Sequence, residues 1–350
     1  MEITAKPARN IRYDLIRCLA MAMVLAQHTL ASYEVRSSGS FKVKFCYYSI
    51  AFVLMLCNPI FFLISGKFNL KKNFTKPEDY KIFYIKKAVS IVLPFVLLSV
   101  ATYLLNFYNK LSIKDFINRF FNNEIQSVYW FMYILIGIVA LSPFYSKMLL
   151  ALSKKEKTIL FAILLVIRIF VTVLAAVYDN PSFTSSTFGI VYWHLFYLVG
   201  FIAEDVFDTR KKQNIVILLG ILGYIFQLFI AYFYMGDFPW NMYNPHPWTL
   251  FESLALYFIV LRINVKTQFF TKIIEFTAKQ SFIFYLVHID VLYRVYDPIV
   301  NALPINKAFS AIIVYVVSFL LTLLISYIIN TLIIIPLQKL ALLPLKKKAK

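Results

Sequence analysis

AFSAIIVYVVSFLLTLLISYIINTLII, residues 308–334, contains no charged side chain and is long enough to cross a bilayer as one helix. Other apolar stretches of similar length recur along the chain. Backbone polar groups cannot be left unpaired in lipid, so each stretch is predicted to be a helix. The predicted spans are 12–34, 46–66, 88–107, 128–149, 159–178, 188–207, 213–235, 248–261, 280–298 and 308–334.

The composition supports the same fold class. Apolar residues make up 61% of the 350 positions and charged residues only 15%, a balance that a water-soluble core and surface would not produce. The chain is therefore predicted to be an all-α, polytopic integral membrane protein of about ten transmembrane helices. A single transmembrane domain, residues 1–350, leaves no room for a separate soluble domain.

The net charge of +19 is explained better by membrane orientation than by a nucleic-acid partner. Phosphate backbones require a solvated face of clustered cations, whereas these lysines and arginines lie in short loops between apolar runs. With the N-terminus inside, 26 cations fall on the cytoplasmic side and 8 on the outer side. This asymmetry predicts that both termini are cytoplasmic and that no nucleic acid binds.

The first predicted helix carries three polar side chains in an apolar setting, Asp14, Arg17 and His28. The eleven residues from Arg17 to His28 turn the helix by about 1100°, three turns plus roughly 20°, so both side chains share one face. Asp14 lies three positions before Arg17, which predicts an ion pair. Charges inside spans usually mark sites. A snorkelling Arg17 and a His28 that only joins two helices remain the structural alternative.

This arrangement resembles that of the membrane acyltransferase 3 family, whose members carry an Arg and a His separated by ten residues in the first helix. Here that element is R-CLAMAMVLAQ-H, preceded by Asp14. Four further segments resemble the family in the same order, and they are NPIFFLISG (58–66), VYWFMYILIGIVALSPF (128–144), FYLVGFI (196–202) and SFIFYLVHI (281–289). One feature departs from the family: Lys86 and Lys87 stand where two arginines are usual, which loses their bidentate phosphate geometry.

The resemblance implies transfer of an acyl group, usually acetyl, from cytoplasmic acyl-CoA to a hydroxyl of a cell-envelope glycan or glycolipid. Acyl-CoA would be a co-substrate, with no bound cofactor and no metal. The protein would be a multi-pass protein of the plasma or inner membrane, in contact with membrane lipid. A transporter or exporter of envelope glycans is the alternative, although its two symmetric halves with broken helices are not evident in the sequence. A non-catalytic scaffold would not need the polar face of the first helix.

Within that chemistry, His28 is predicted to be the general base, because a base of near-neutral pKa suits removal of a hydroxyl proton. Asp14 and Arg17 complete the predicted catalytic group. The predicted donor-binding residues are Arg17, Lys86 and Lys87, and the predicted acceptor-binding residues are Trp130, His288, Arg168 and Glu252. For His288 and Arg168 a purely structural role stays open.

Other polar and aromatic residues are weaker candidates. Tyr129, Trp130 and Trp193 fall at predicted outer span ends, where an aromatic belt is the default explanation, and for Trp130 this belt is the alternative to contact with an acceptor. Ser65 and Gly66 at the predicted end of the second helix indicate a cap or close packing. The remaining candidates for contact with an acceptor are His194 and an outer loop with Trp240, His246 and Trp248. Three cysteines without metal-ligand spacing, Cys18, Cys46 and Cys57, are interpreted as packing thiols.

Overall fold

The computed structural model describes residues 9–33, 40–177, 190–233, 246–302 and 306–347, and within these ranges every regular element is helical. The first half of the bundle consists of α1 (Ile11–Ser32), α2 (Phe41–Leu54), α3 (Cys57–Asn69), α4 (Pro77–Lys87), α5 (Leu93–Asn106), α6 (Ile113–Phe121) and α7 (Trp130–Ala151). The second half consists of α8 (Lys154–Val177), α9 (Ile190–Val206), α10 (Arg210–Phe233), α11 (Pro247–Leu261), α12 (Gln268–Ala302), α13 (Lys307–Ile329), α14 (Ile335–Ala341) and α15 (Leu343–Lys347).

The all-α membrane fold predicted from the sequence is confirmed. Seven helical stretches in the described ranges are long and apolar enough to cross a bilayer. The other three predicted spans coincide with α9, α11 and α12. Of these, α9 has 17 residues and α11 has 15, while α12 has 35 residues that include buried polar side chains such as His288 and Asp290. The count of ten and the cytoplasmic termini stay predictions.

If ten spans cross the membrane in alternating directions, odd-numbered spans run parallel to one another and antiparallel to even-numbered ones, and two helix pairs agree with this. The first and ninth predicted spans, which are α1 and α12, run parallel, as shown by the contacts Cys18–Ile274, His28–His288 and Tyr33–Tyr296. The seventh and eighth, which are α10 and α11, run antiparallel, as shown by Gln213–Arg262 and Gln227–Glu252. The order of spans along the chain is thus consistent with the packing of the bundle.

The second predicted span differs in detail from the structure. Its helix breaks at Met55 and Leu56, so that residues 41–69 form two helices, and Pro59 lies near the start of the second, where its missing N–H costs nothing. The helix also continues past Gly66 to Asn69, so Ser65 and Gly66 do not end it. The interpretation of Gly66 as a cap is therefore wrong, and close packing explains this glycine instead.

Gly66 and Gly200 mark the point where α3 and α9 cross with their backbones in contact. A Cβ at Gly66 would lie 1.7 Å from the Tyr197 carbonyl oxygen, and one at Gly200 would lie 2.0 Å from the Leu63 carbonyl oxygen. Small residues at such crossings let membrane helices approach each other closely. Because α3 also carries residues of the cavity described below, this crossing fixes one of its walls.

Replacing either crossing glycine by alanine should therefore destabilise the bundle. We expect Gly66→Ala and Gly200→Ala each to lower the thermal midpoint in detergent, since a methyl group would overlap backbone atoms that cannot move without separating α3 from α9. Gly137→Ala is the matched control, because its Cβ would meet nothing within 4 Å. Equal midpoints for all three variants would contradict the close crossing.

Candidate functional site

The polar face of α1 begins with a buried carboxylate held by two arginines. The Asp14 side chain is 3% exposed; it pairs with the Arg9 guanidinium and, at 3.0 Å, with Nη1 of Arg17. The Asn10 side chain accepts a hydrogen bond from the backbone N–H of Arg12 and caps the helix, and an acidic first turn suits the helix dipole. The predicted Asp14–Arg17 ion pair is confirmed.

Arg17 then extends from this pair into a cavity between α1, α3, α4, α7 and α12. Its guanidinium carbon lies over the Phe68 ring at 4.6 Å from the ring centre, which is a cation–π contact. The cavity has a volume of about 280 Å³. Its lining residues are Arg17, Phe61, Ile64, Ser65, Phe68, Asn69, Lys87, Ile91, Phe131, Leu135, Ser281, Phe282 and Tyr285.

The two predicted donor-binding lysines are separated by the structure. Lys87 lines the cavity, where its ammonium donates a hydrogen bond to Oδ1 of Asn69 and lies 5.6 Å from the Phe83 ring centre. Lys86 is exposed and does not line the cavity. Lys87 and Arg17 therefore supply two positive charges to one apolar cavity, together with the hydroxyls of Ser65 and Ser281.

Aromatic rings form the wall of the cavity opposite the cations. The Tyr285 ring lies 5.0 Å from that of Phe131 and 6.3 Å from that of Phe61, and all three residues line the cavity. The Tyr285 hydroxyl donates to the Val128 carbonyl oxygen, which holds α12 against the start of α7. On its other side, the Tyr285 ring contacts the His288 ring at 5.4 Å. Tyr285 is thus the partition between the cavity and the histidines.

His28 and His288 face each other behind this partition. Their ring centres are 5.3 Å apart, with 47° between the ring planes. His288 is fully buried, whereas His28 is partly exposed. The two residues are 260 positions apart in sequence, and the parallel packing of α1 and α12 brings them together. Neither histidine lines the cavity itself, whereas Tyr285, whose ring contacts that of His288, does.

The predicted acceptor contact Trp130 lies next to Phe131 of the aromatic wall, at 6.1 Å between ring centres, but neither Trp130 nor Trp193 lines the cavity. The Trp130 ring packs on that of Trp193 at 5.2 Å, and the Trp193 ring packs on that of Phe62 at 5.0 Å. Both tryptophans remain partly exposed. Tyr129, in contrast, is 1% exposed, and its hydroxyl donates to the Leu286 carbonyl oxygen. An aromatic belt faces lipid and water, so the belt interpretation of Tyr129 is wrong.

Two predicted acceptor-binding residues lie away from this group. Arg168 is 3% exposed in α8 and does not line the cavity. Glu252 lies between α10 and α11, where its carboxylate accepts a hydrogen bond from Gln227. A Cβ at Gly223 would lie 3.3 Å from Oε1 of Glu252, so the glycine makes room for this carboxylate. The structure thus gives Glu252 a place in helix packing, and its role toward an acceptor stays a prediction.

Of the remaining acceptor-contact candidates, the structure describes His194, His246 and Trp248. The His246 ring stacks on the Trp248 ring at 4.7 Å at the start of α11, and the His194 ring meets that of Tyr145 edge-on at 6.0 Å. Trp240 lies outside the described residues. The predicted lid over the acceptor therefore stays a prediction.

Sequence reasoning missed a polar cluster around Asp290. This carboxylate, two residues after His288, accepts hydrogen bonds from Thr102 at 2.8 Å, Asn106 at 3.0 Å and Gln126 at 3.3 Å. The cluster joins α5 and the start of α7 to α12 beside the histidine pair. An acidic residue inside the predicted span 280–298 was the available signal, and it was not followed up because His288 in the same span matched a family segment.

A second missed residue is Glu204 near the end of α9. Its Oε1 atom pairs with Lys67 at 2.8 Å and accepts hydrogen bonds from Tyr13 at 2.7 Å and Tyr257 at 2.6 Å. This one carboxylate ties together α1, α3, α9 and α11. It closes the bundle on the same side as the Asp14–Arg17 pair.

Comparison with known protein families gives one match, which covers most of the chain. The model of the membrane acyltransferase 3 family, described as an acyltransferase domain, matches residues 10–331. That range contains every residue of the cavity and both histidines. No curated protein and no solved structure matches the chain significantly.

Removing the Asp290 carboxylate should destabilise the protein. Asp290→Ala leaves Thr102, Asn106 and Gln126 without their acceptor, and hydrogen bonds to a charged group contribute about 1.5–3 kcal/mol. We expect a clear fall in the thermal midpoint in detergent. Asp297→Ala on the same helix is the control, since Asp297 is exposed. Equivalent midpoints for the two variants would show that the cluster does not stabilise the bundle.

Proposed function

Because the chain belongs to the membrane acyltransferase 3 family, and is therefore a membrane-embedded acyltransferase, we propose that it transfers an acyl group from cytoplasmic acyl-CoA to a hydroxyl of a cell-envelope glycan or glycolipid. The acyl group proposed is acetyl, and the membrane is the plasma or inner membrane. The observation that carries this proposal is the position of the cavity, with cations at one end and a histidine pair behind its aromatic wall.

The cations suit the donor. Coenzyme A carries phosphates, and Arg17 and Lys87 can contact them by charge-assisted hydrogen bonds. Asp14 holds the Arg17 guanidinium from behind, and Phe68 stacks on it, so its direction is set before the donor arrives. A cavity of about 280 Å³ lies at the lower end of ligand-site volumes. It suits the narrow acyl-pantetheine arm, with the nucleotide remaining at the cytoplasmic opening.

The aromatic wall of the cavity, opposite the cations, suits the acyl-transfer reaction. An acyl-pantetheine arm that entered past Arg17 would end against Phe61, Phe131 and Tyr285, one ring away from His288. The apolar wall excludes water, which would otherwise hydrolyse the thioester. His28 then receives the proton of the acceptor hydroxyl. For the thioester to meet that hydroxyl, the Tyr285 ring must turn or the arm must pass beside it.

The acceptor approaches from the other side of the partition. His28 is partly exposed in the outward half of α1, and Trp130 and Trp193 present ring faces on which a sugar can stack. Donor and acceptor thus reach the histidine pair from opposite ends of the bundle. Under this proposal neither substrate has to cross the membrane as a whole, because only the acyl group passes from one side to the other.

We expect His28→Ala to lower acyl transfer by about 10²- to 10⁴-fold, since a general base contributes that much to the rate. The measurement is transfer of a labelled acetyl group from acetyl-CoA to a glycan acceptor by purified protein in vesicles. If His28 only joins two helices, the variant loses a little stability and keeps its turnover. Wild-type protein that moves glycan across the vesicle without consuming acetyl-CoA would instead identify a transporter.

The two adjacent lysines provide a matched test of donor binding. Lys87→Met removes a cavity charge while keeping an apolar stem, and the loss of one charge-assisted contact should raise KM for acetyl-CoA by about 10- to 100-fold. Lys86→Met removes the same charge one position away, outside the cavity lining, and should change KM by roughly twofold or less, because exposed charges act weakly. Equal changes in both variants would refute this placement of the donor.

A further inference from the structure

The His288 ring has one nitrogen fixed and one unpartnered. Its Nδ1 atom lies 2.6 Å from the carbonyl oxygen of Tyr285. A carbonyl oxygen can only accept, so Nδ1 carries the hydrogen and donates it. In the neutral ring the other nitrogen, Nε2, then has a lone pair and no hydrogen. The backbone of α12 therefore sets the tautomer of this histidine.

The Nε2 atom is buried and has no hydrogen-bond partner among the residues that the structure describes. Three rings surround the imidazole: Phe284 nearly parallel at 6.4 Å, Tyr285 at 5.4 Å and His28 at 5.3 Å. Phe284 has no donor, and the Tyr285 hydroxyl already donates to Val128. His28 is thus the neighbouring ring that has an N–H to offer.

A buried acceptor without a donor costs about 1–3 kcal/mol, and phenylalanine at position 288 would avoid this cost in such apolar surroundings. The ring pair has nearly the separation that a hydrogen bond needs. Two imidazoles joined by an N–H···N bond of about 2.9 Å have centres roughly 5 Å apart, and the observed centres are 5.3 Å apart. The observed separation of the ring centres is thus compatible with this bond once a ring nitrogen of His28 is turned toward Nε2.

We propose that His288 is a positioning residue for His28. In the substrate complex, one ring nitrogen of His28 donates its hydrogen to Nε2 of His288, so the other ring nitrogen of His28 is left unprotonated toward the acceptor. The chain of groups is Tyr285 carbonyl, His288, His28 and acceptor hydroxyl. This arrangement corresponds to a base held by an orienting group, with an imidazole in place of the usual carboxylate.

The inference rests on the proposed function and specifies its chemistry. The acceptor hydroxyl gives its proton to His28 while its oxygen bonds to the thioester carbonyl carbon. The carbon–sulfur bond then breaks, and the coenzyme A sulfur leaves with the proton that His28 gives back. The products are the ester and the free thiol of coenzyme A. Throughout these steps, Nε2 of His288 accepts a hydrogen bond from the other N–H of the His28 imidazolium and stabilises its positive charge.

The test compares His288→Phe with His288→Gln in purified protein. We expect His288→Phe to fold with an unchanged or higher thermal midpoint, because the unpartnered nitrogen is removed. Its kcat should fall by about 10²- to 10⁴-fold, as when the orienting group of a catalytic base is lost. Its KM for acetyl-CoA should stay within roughly twofold of wild type, since the cavity cations are intact. His288→Gln should recover part of kcat, because its amide oxygen can accept the His28 N–H.

The results that would contradict the positioning role of His288 differ from those that would contradict the proposed function. Full activity of His288→Phe, no advantage of His288→Gln over it, or loss of folding in both variants would each assign His288 to packing and overturn the positioning role. In all three cases wild-type protein still transfers the acyl group. Wild-type protein that transfers none from acetyl-CoA would overturn the proposed function, and this inference with it.

Discussion

Lipid does not solvate charge, and the rest of this structure follows from that constraint. A carboxylate such as Asp14 can be buried in the bundle only with its partners, so Arg9 and Arg17 are drawn to it. Arg17 in turn directs its remaining donors into the cavity. Asp290 follows the same rule, since Thr102 and Asn106 of α5 and Gln126 before α7 donate hydrogen bonds to it. These buried carboxylates are thus each held together with their ion-pair or hydrogen-bond partners.

The buried Nε2 of His288 has no hydrogen-bond partner among the described residues. Glu204, by comparison, is satisfied by three neighbours from other helices. At the histidine pair the bundle instead leaves an acceptor beside a ring that can donate. Other buried polar atoms of the described residues lack a partner too, such as Oε1 of Gln27 and Oγ of Ser318, so an unpartnered atom alone does not mark a site. At His288 the neighbouring imidazole is the observation that points to chemistry. In the proposed function, the histidine pair lies between the routes of donor and acceptor.

Hydropathy was sufficient to predict the fold class, because an apolar run of bilayer length has few alternatives to a helix. Local geometry was sufficient for the Asp14–Arg17 pair, since three residues along a helix fix their separation. Contacts between helices that are distant in sequence could not be predicted from hydropathy or local helix geometry. The His28–His288 pair depends on how α1 packs against α12, and the different surroundings of Lys86 and Lys87 depend on which way α4 is turned. The sequence could not decide between a cap and close packing for Gly66 for the same reason, because its neighbour Tyr197 belongs to another helix.

The most direct test of the account is to locate the donor's acyl end in the bundle. An acyl-CoA analogue with a photoreactive diazirine on a short acyl group can be activated in the purified protein, and the labelled residues identified by mass spectrometry. Labelling of Phe61, Phe131 or Tyr285, abolished by excess acetyl-CoA and weakened in Lys87→Met but not in Lys86→Met, is the predicted result. Labelling that acetyl-CoA displaces but that maps to α10 and α11 would contradict the cavity as the donor site.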